Sequence, residues 1–287
     1  MRAALSQYAV DIQMTPATLE ALMASGYALS AFKAVQTTVN GAAPLVWYQT
    51  SRLLMTTSIT WQEQYQAYAS TSQIIAHGMI RPNSTTDIGL GQTAQVGANG
   101  AMTATDGGTP AAISILNQAS QPWTCGVSQV VENQANPVCA VPLYGNMLDV
   151  MAPVEQVLLM LSAMSVNTGA VIYQAYAPGV LIDLRGAAQR TVQFDINNGW
   201  SWDSGTWARS VASNTDLVPL LIQQWGDEWA SPLSPRRRSR SESDYRDRHS
   251  GPTISKPRAF RLSSTPPSSA SRRSGATPIL VPGVVTA

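Results

Sequence analysis

The stretch that decides the fold class is Thr57-Ser-Ile-Thr-Trp-Gln-Glu-Gln-Tyr-Gln-Ala-Tyr-Ala69. Its apolar side chains fall on every second residue over most of its length, with threonine and glutamine between them. This period of two is typical of a β-strand with one buried and one wet face. Glu63 interrupts the apolar face, so it either lies near the exposed edge of the strand or has a partner inside the protein. We favour the exposed edge.

Shorter patterns of the same kind recur along residues 1–230, separated by turn signals that contain Gly, Asn, Pro or Asp. Further strands are predicted at 8–14, 27–35, 44–50, 74–80, 113–116, 124–131, 138–143, 180–184 and 191–196. The apolar run at 157–161 suits a strand that is buried on both faces, although a helix of residues 154–164 fits it too. About ten to twelve short strands with alternating faces favour an all-β fold, an antiparallel β-sandwich.

One short flanking helix is predicted between Thr15 and Gly26. Thr15 can cap its first turn, Pro16 fits the first helical position, and Gly26 fits the C-terminal cap. Leu22 and Met23 are among its apolar residues. We expect this helix to pack against one side of a sheet.

Charge divides the 287-residue chain into two parts, although its 18 Lys and Arg and 17 Asp and Glu residues give a net charge of only +1. Residues 1–230 contain 7 basic and 14 acidic side chains, a net charge of −7. Residues 231–287 contain 11 basic and 3 acidic side chains, a net charge of +8, together with 13 Ser and 8 Pro. Such a composition buries too little apolar surface to offset the entropy cost of ordering. We therefore expect a β-sandwich domain at 1–230 and a disordered basic tail at 231–287.

Residue types that carry catalysis or bind metals are scarce. Residues 1–230 contain two cysteines, Cys125 and Cys139, and one histidine, His77, which we place at the surface of a strand. Their spacing matches no recognised zinc site. The two cysteines flank a predicted turn where a cross-strand disulfide can form, but reduced thiols are the better default without a secretory signal. The sequence predicts a protein that is not an enzyme and has no cofactor and no metal.

The expected location follows from what the sequence lacks. No run of 18 or more apolar residues is present, and the first residues lack the apolar core of a signal peptide. We expect a soluble, cytoplasmic protein. The basic tail is also compatible with nuclear import.

Three tryptophans lie within eight residues, at Trp200, Trp202 and Trp207. If Trp200 and Trp202 follow the Asn-Asn-Gly turn on one strand, their rings share a face. Asn198 and Asp203 add hydrogen-bonding groups beside them. Such rings can stack on sugars or lie at a lipid headgroup boundary, or they can simply fill the core.

An antiparallel sandwich with one flanking helix and clustered aromatic residues is loosely similar to small cytolysin and lectin sandwiches. The resemblance implies recognition of a glycan or of a lipid headgroup surface. This lectin-like or cytolysin-like binding function is our leading expectation. It agrees with the scarcity of catalytic groups and the abundance of Trp, Tyr, Asn and Gln.

The tail contains the run Ser234-Pro-Arg-Arg-Arg-Ser-Arg-Ser-Glu-Ser243. Arg236, Arg237, Arg238 and Arg240 can neutralise the phosphates of RNA or another polyanion. In chemistry alone the run resembles the arginine-rich tails of nucleic-acid-packaging proteins and arginine–serine splicing factors. The alternative function is therefore a self-assembling, capsid-like homo-oligomer whose tail binds RNA. A solvated extension without a function is an equal alternative for the tail.

Overall fold

The computed structural model describes residues 6–164 and 166–225 of the chain. The described part is mostly β, which confirms the all-β prediction. The predicted tail lies outside the described residues, and so do its four candidate RNA-binding residues, Arg236, Arg237, Arg238 and Arg240.

Eighteen strands and two helices make up the described residues. In chain order they are β1 (Gln7–Gln13), α1 (Pro16–Ala24), β2 (Ala28–Thr37), β3 (Ala43–Pro44), β4 (Tyr48–Thr50), β5 (Thr56–Ser70), β6 (Ser84–Ile88), β7 (Gln92–Val96), β8 (Met102–Asp106), β9 (Ile113–Asn117), β10 (Trp123–Val131), β11 (Gln134–Pro137), β12 (Cys139–Leu143), β13 (Leu148–Ser162), β14 (Gly179–Asp183), β15 (Gln189–Asp195), β16 (Gly199–Ser201), β17 (Ala208–Val211), α2 (Val218–Leu221) and β18 (Ile222–Gln224). The number of strands exceeds the expected ten to twelve because many of them are very short.

The strands form two sheets of nine strands each within the described residues. The first sheet has the order β16-β15-β1-β5-β10-β12-β3, with β11 beside β10 and β6 beside β5. The second has the order β17-β14-β13-β9-β7-β8, with β2 beside β13, and β4 and β18 beside β2. Three parallel pairings, β1 with β15, β2 with β18 and β7 with β9, make both sheets mixed rather than wholly antiparallel. Residue alternation shows which face of a strand is buried and not which way its neighbour runs, so the sequence could not predict this.

Side chains of both sheets meet in shared buried clusters. Ile59 and Trp61 of β5 lie in one cluster with Val157 and Leu159 of β13, and none of the four is more than 2% exposed. Burying one such side chain stabilises the fold by about 1.5–3 kcal/mol. The core therefore joins the two longest strands of the two sheets.

Both stretches that decided the sequence interpretation are strands. Residues 57–69 lie within β5, and residues 157–161 lie within β13. β13 pairs with β2 on one side and β14 on the other, and no residue of the 157–161 run is more than 3% exposed. Burial on both faces explains why the run is continuously apolar.

The expectation for Glu63 is wrong. β5 is an inner strand between β1 and β10, and Glu63 is half-buried and accepts a hydrogen bond from the Tyr8 hydroxyl at 3.2 Å. Between Trp61 and Tyr65, β5 has three residues where β10 has one, so a β-bulge in β5 takes Glu63 out of the regular pairing. The bulge makes room for a carboxylate on an otherwise apolar face.

Helix α1 matches its prediction. The Thr15 hydroxyl accepts the Thr18 N–H at 3.2 Å, Gly26 has φ of +67°, and Leu22 is buried in the core. Met23, however, is 63% exposed. Helix α2 contains Pro219 in its first turn and was not predicted.

The predicted strand at 74–80 is absent, because this segment is a loop with a single bridge at Met79. His77 is exposed, as expected, but it adopts a left-handed φ of 60° that no strand contains.

Candidate functional site

The predicted tryptophan site lies at the β15–β16 hairpin, on the outer edge of the first sheet. Gly199 has φ of +77° in the turn, a conformation that glycine adopts without strain. Trp200 follows within β16, and Trp202 and Trp207 come after this strand. All three are half-buried against the core. We call these three residues the tryptophan cluster.

The indole N–H groups of the tryptophan cluster all have acceptors within the protein. At 2.8–3.1 Å, Trp200 donates to the Pro178 carbonyl, Trp202 to the Gly205 carbonyl and Trp207 to the Asp203 carboxylate. A ligand would therefore have to compete with bonds that already exist. The arrangement stabilises the chain after β16.

The neighbours of the tryptophan cluster also make contacts within the protein. Phe194 packs edge-on against Trp200 with ring centroids 5.0 Å apart, and the Arg190 guanidinium lies 4.8 Å from the Trp207 ring. The side chain of Asn198, a predicted ligand, donates to Asp195 at 2.9 Å. The pKa of Asp195 is lowered, chiefly by backbone N–H donors in the turn. Of the predicted residues, Trp207 bonds to Asp203, whereas Trp200, Trp202 and Asn198 bond to Pro178, Gly205 and Asp195, which lie outside the predicted set.

A second aromatic site lies at the edge of the first sheet where β5 and β12 end and β10 begins. Ser70 pairs with Thr124, and Thr124 pairs with Pro142, so three chain segments meet there. They enclose a cleft of about 420 Å³, which we call the uncharged cleft. Its lining consists of three aromatic, four hydroxyl and one amide side chain with four small or apolar residues, and includes no Asp, Glu, Lys or Arg.

The aromatic residues of the uncharged cleft are Trp123, Tyr144 and Tyr173. Trp123 is only 9% exposed, whereas Tyr144 is 59% exposed at the rim. The Trp123 ring packs directly on Gly100, where a Cβ atom would lie 2.5 Å from the ring. Gly100 also has φ of +77°, so it is suited to this position in two ways. The cleft therefore has one fixed aromatic wall and one exposed aromatic rim.

The hydroxyl groups of the uncharged cleft are held in place by the backbone. Ser70 donates to the Arg81 carbonyl at 2.6 Å, and Thr124 donates to the Ser72 carbonyl at 2.7 Å. A hydroxyl oxygen has two acceptor lone pairs besides its donor. Ser70 is fully buried and also accepts the Ser72 N–H at 3.0 Å, whereas Thr124 is half-buried and keeps acceptor capacity that a ligand can use.

A buried ion pair lies between the two sheets. The Lys33 ammonium is 2.6 Å from the Glu155 carboxylate and lies 4.8 Å from the Trp61 ring and 5.8 Å from the Trp47 ring. A bulge between Val154 and Val157 of β13 places Glu155 opposite Lys33. The pKa of Lys33 is lowered because burial disfavours its charge, although Glu155 opposes this effect.

The two partners of the ion pair differ in exposure. The Lys33 side chain is 1% exposed, and the Glu155 side chain is 14% exposed. Glu155 lines a surface cleft of about 600 Å³ together with Tyr8 and Arg185. Only the carboxylate can therefore reach solvent.

The cysteines offer no reactive group. Both are buried free thiols, in agreement with the default expectation, and Cys125 pairs with Val141 across the sheet. Burial raises the pKa of Cys125 and of Cys139 to about 12. A thiolate is the nucleophilic form, so neither residue is activated.

The described residues contain neither a metal-binding cluster nor a membrane-spanning helix. No group of three or more His, Cys, Asp or Glu residues there is placed to hold a metal ion. None of the helices in the described ranges has the length and apolar character to cross a membrane.

Comparison with known proteins found no matching family model, no similar curated protein and no similar solved structure. The site must therefore be judged on its own chemistry.

The sequence interpretation missed the uncharged cleft. Its aromatic residues, Trp123, Tyr144 and Tyr173, are far apart in the chain. The pairing of β10 with β12 brings the segments of Trp123 and Tyr144 together, and the bond from the Ile172 N–H to the Pro44 carbonyl holds the segment of Tyr173 beside β3. A weak signal was present, because the segments 38–48, 70–80 and 118–124 contain no Asp, Glu, Lys or Arg.

Proposed function

We propose that this protein is a non-enzymatic, lectin-like β-sandwich that recognises a neutral glycan through the uncharged cleft. The observation that carries the proposal is the composition of the cleft, which combines three aromatic side chains with fixed hydroxyls and lacks charged groups. An aromatic ring covers the apolar face of a sugar, and neutral hydroxyl and amide groups bond its hydroxyls. Ligand sites commonly combine an aromatic lining with a few polar groups in this way.

The indole N–H of Trp123 supports this site. It is buried in the wall of the cleft, and no acceptor lies within hydrogen-bonding distance of it among the described residues. A buried polar group without a partner is rare in folded proteins and calls for an explanation, such as a bound molecule. The three indole donors of the tryptophan cluster are all engaged, although the Nε of the adjacent Arg190 is also buried without a partner.

The first test is a glycan array probed with the full chain. We expect binding to neutral saccharides in preference to sialylated or sulfated ones. Tyr144→Ala should weaken the binding about tenfold or more, the usual result of losing a central aromatic contact. Leu54→Ala is the matched control, because Leu54 is 63% exposed and Tyr144 is 59% exposed. Equal binding by Tyr144→Ala and wild type, or binding to acidic glycans alone, would contradict the proposal.

A membrane surface is the second candidate, and one observation favours it. The loop 144–148 at the rim of the cleft exposes Tyr144, Met147 and Leu148, which are 59%, 38% and 49% exposed. Apolar and aromatic side chains of this kind suit a lipid interface. Co-sedimentation with phosphatidylcholine vesicles that carry no glycolipid would favour this candidate, and a requirement for glycolipid would favour the first.

The capsid-like alternative depends on the basic tail. The tail lies outside the described residues, so RNA binding by Arg236, Arg237, Arg238 and Arg240 stays a prediction.

A further inference from the structure

A second cleft adjoins the uncharged cleft. It has a volume of about 280 Å³, and its lining includes His77, Tyr173, Gln174, Tyr176 and Asn214. Tyr173 lines both clefts. The two therefore meet at one aromatic ring.

One loop also forms a wall of both clefts. Its first part, residues 70–74, lines the uncharged cleft, and its next part, Ala76 and His77, lines the second cleft. The two clefts consequently share a side wall as well as the ring of Tyr173. This continuity indicates one elongated groove rather than two separate depressions.

The second cleft is fixed by backbone hydrogen bonds across its floor. The His77 N–H donates to the Val171 carbonyl at 2.8 Å, and the Asn214 N–H donates to the Ala175 carbonyl at 2.6 Å. His77 and Asn214 have left-handed φ values of 60° and 63°. Left-handed residues other than glycine cost energy and cluster at functional sites, and here two of them face one cleft.

The chemistry of the second cleft repeats that of the first. Its lining again combines tyrosine rings with hydrogen-bonding groups, the amides of Gln174 and Asn214 and the imidazole of His77, and it contains no Lys, Arg, Asp or Glu. Burial raises the pKa of Tyr176 to about 12, so its phenol stays protonated and neutral. A ligand that suits one cleft therefore suits the other.

We propose that the two clefts form one groove for a neutral oligosaccharide, with Tyr173 between two sugar subsites. This inference rests on the proposed function, because it takes the uncharged cleft as the first subsite. The second cleft, at about 280 Å³, is slightly smaller than a typical ligand pocket of about 300 Å³ or more. Together the clefts fit a chain of sugars better than a single one.

The test is calorimetric titration of the full chain with neutral malto-, cello- and chito-oligosaccharides of increasing length, starting from the single sugar. In the series that binds, affinity should rise about tenfold or more from the shortest ligands to the longer ones, as expected when a second subsite is filled. His77→Gly and Asn214→Gly should remove this gain and leave the affinity for the shortest ligands unchanged. Glycine keeps the left-handed backbone, so both variants should fold.

Asn133→Gly is the matched control, because Asn133 has φ of 62° in the β10–β11 turn and lines neither cleft. It should keep the full gain. Asn214→Asp is a second variant, which keeps the side-chain shape and adds a charge to the neutral subsite, and it should also lose the gain.

Two results would overturn the inference alone: short ligands bind without any gain from length, or the gain persists in both glycine variants. Absence of binding at every length in all three series would overturn the proposed function along with it.

Discussion

The tryptophan cluster and the uncharged cleft lie at opposite ends of β5. The β15–β16 hairpin lies toward the first residues of β5, since Gln13 of β1 pairs with both Gln193 and Thr56, whereas the cleft begins at Ser70. The separation along the strand is about 45 Å, at roughly 3.3 Å per residue. Each region contains three aromatic residues, but the arrangement of their side chains differs.

In the tryptophan cluster, the aromatic residues are close in the chain, and their indole N–H groups donate to Pro178, Gly205 and Asp203. In the uncharged cleft they come from distant segments and leave space between them. Aromatic residues that are neighbours in sequence can pack together as soon as the chain turns. An open site is easier to build when separate segments each hold one ring apart from the others. The density of aromatic residues in the sequence is therefore a poor guide to the ligand site in this protein.

The largest expected effect concerns the buried ion pair, which packs against the same core cluster as the tryptophans. Glu155→Gln should lower the free energy of unfolding by about 3–5 kcal/mol, because it leaves the Lys33 charge buried without a partner. Lys33→Met should cost much less, since Glu155 reaches solvent. Denaturant unfolding of both variants measures the difference. Equal losses would show that the exposure of Glu155 does not matter.

The same pair predicts a pH dependence. The folded pKa of Lys33 is lowered from its ordinary value of 10.5, so the unfolded chain binds more protons between the lowered pKa and 10.5. Wild-type stability should therefore rise with pH in that window relative to Lys33→Met. Unfolding of both proteins from pH 8 to pH 10.5 tests this, because the ionisation of tyrosine and cysteine is common to both and cancels in the difference. Parallel curves for the two proteins would contradict it.

The next largest effect is expected for a substitution in the wall of the uncharged cleft. Gly100→Ala should destabilise the protein by about 2–4 kcal/mol, because it adds backbone strain and a clash with the Trp123 ring. Gly91→Ala is the control, since Gly91 has φ of +86° and open space around it. Gly91→Ala should show the strain alone and leave saccharide binding intact. If the two variants unfold and bind alike, Trp123 is not a fixed wall of the cleft.

A smaller effect is expected in the tryptophan cluster. Trp200→Ala should lower stability by about 2–3 kcal/mol, less than for a fully buried tryptophan. Trp200→Phe keeps the ring contact with Phe194 and loses one hydrogen bond, which should cost about 1 kcal/mol. Calorimetric melting of the two variants checks this order. Saccharide binding should be unchanged in both, and a loss of binding without a loss of stability would restore the cluster as the ligand site.

The smallest effect concerns Asp203. Its carboxylate accepts the Gly205 N–H at 2.9 Å and the Trp207 indole at 2.8 Å. Asp203→Ala should cost about 1 kcal/mol of stability, because these bonds are exposed to solvent. Chemical denaturation resolves such a change, and a stability equal to that of wild type would mean that solvent replaces the bonds fully.

The sequence was sufficient for the elements with a strong local signal. The alternation in β5 predicted its buried face, and Thr15 and Gly26 marked the ends of α1, because burial pattern and capping are local properties. The position of Glu63 was not predictable, since it depends on a bulge in β5 that appears only in the pairing of β5 with β10. The relative direction of neighbouring strands was not predictable either, because it depends on the partner strand.

The candidate site was less predictable than the fold. Trp200, Trp202 and Trp207 all pack against one core cluster, but the bonds that engage their N–H groups depend on Pro178 and on the course of the chain after β16. Tyr144 and Tyr173 line one cleft through long-range backbone pairing, of β12 with β10 and of Ile172 with Pro44. Their role could be found from distances in space and not from spacing in the chain.

Photoaffinity labelling tests the central claim most directly. The full chain would be irradiated with a diazirine derivative of the neutral saccharide that binds best on the array, and the labelled residues would be identified by mass spectrometry. We expect the label within residues 70–74 and 122–124 or on Tyr144 and Tyr173, with an excess of the unmodified saccharide abolishing it. Competed labelling within residues 198–207 instead would place the ligand on the tryptophan cluster and contradict this account.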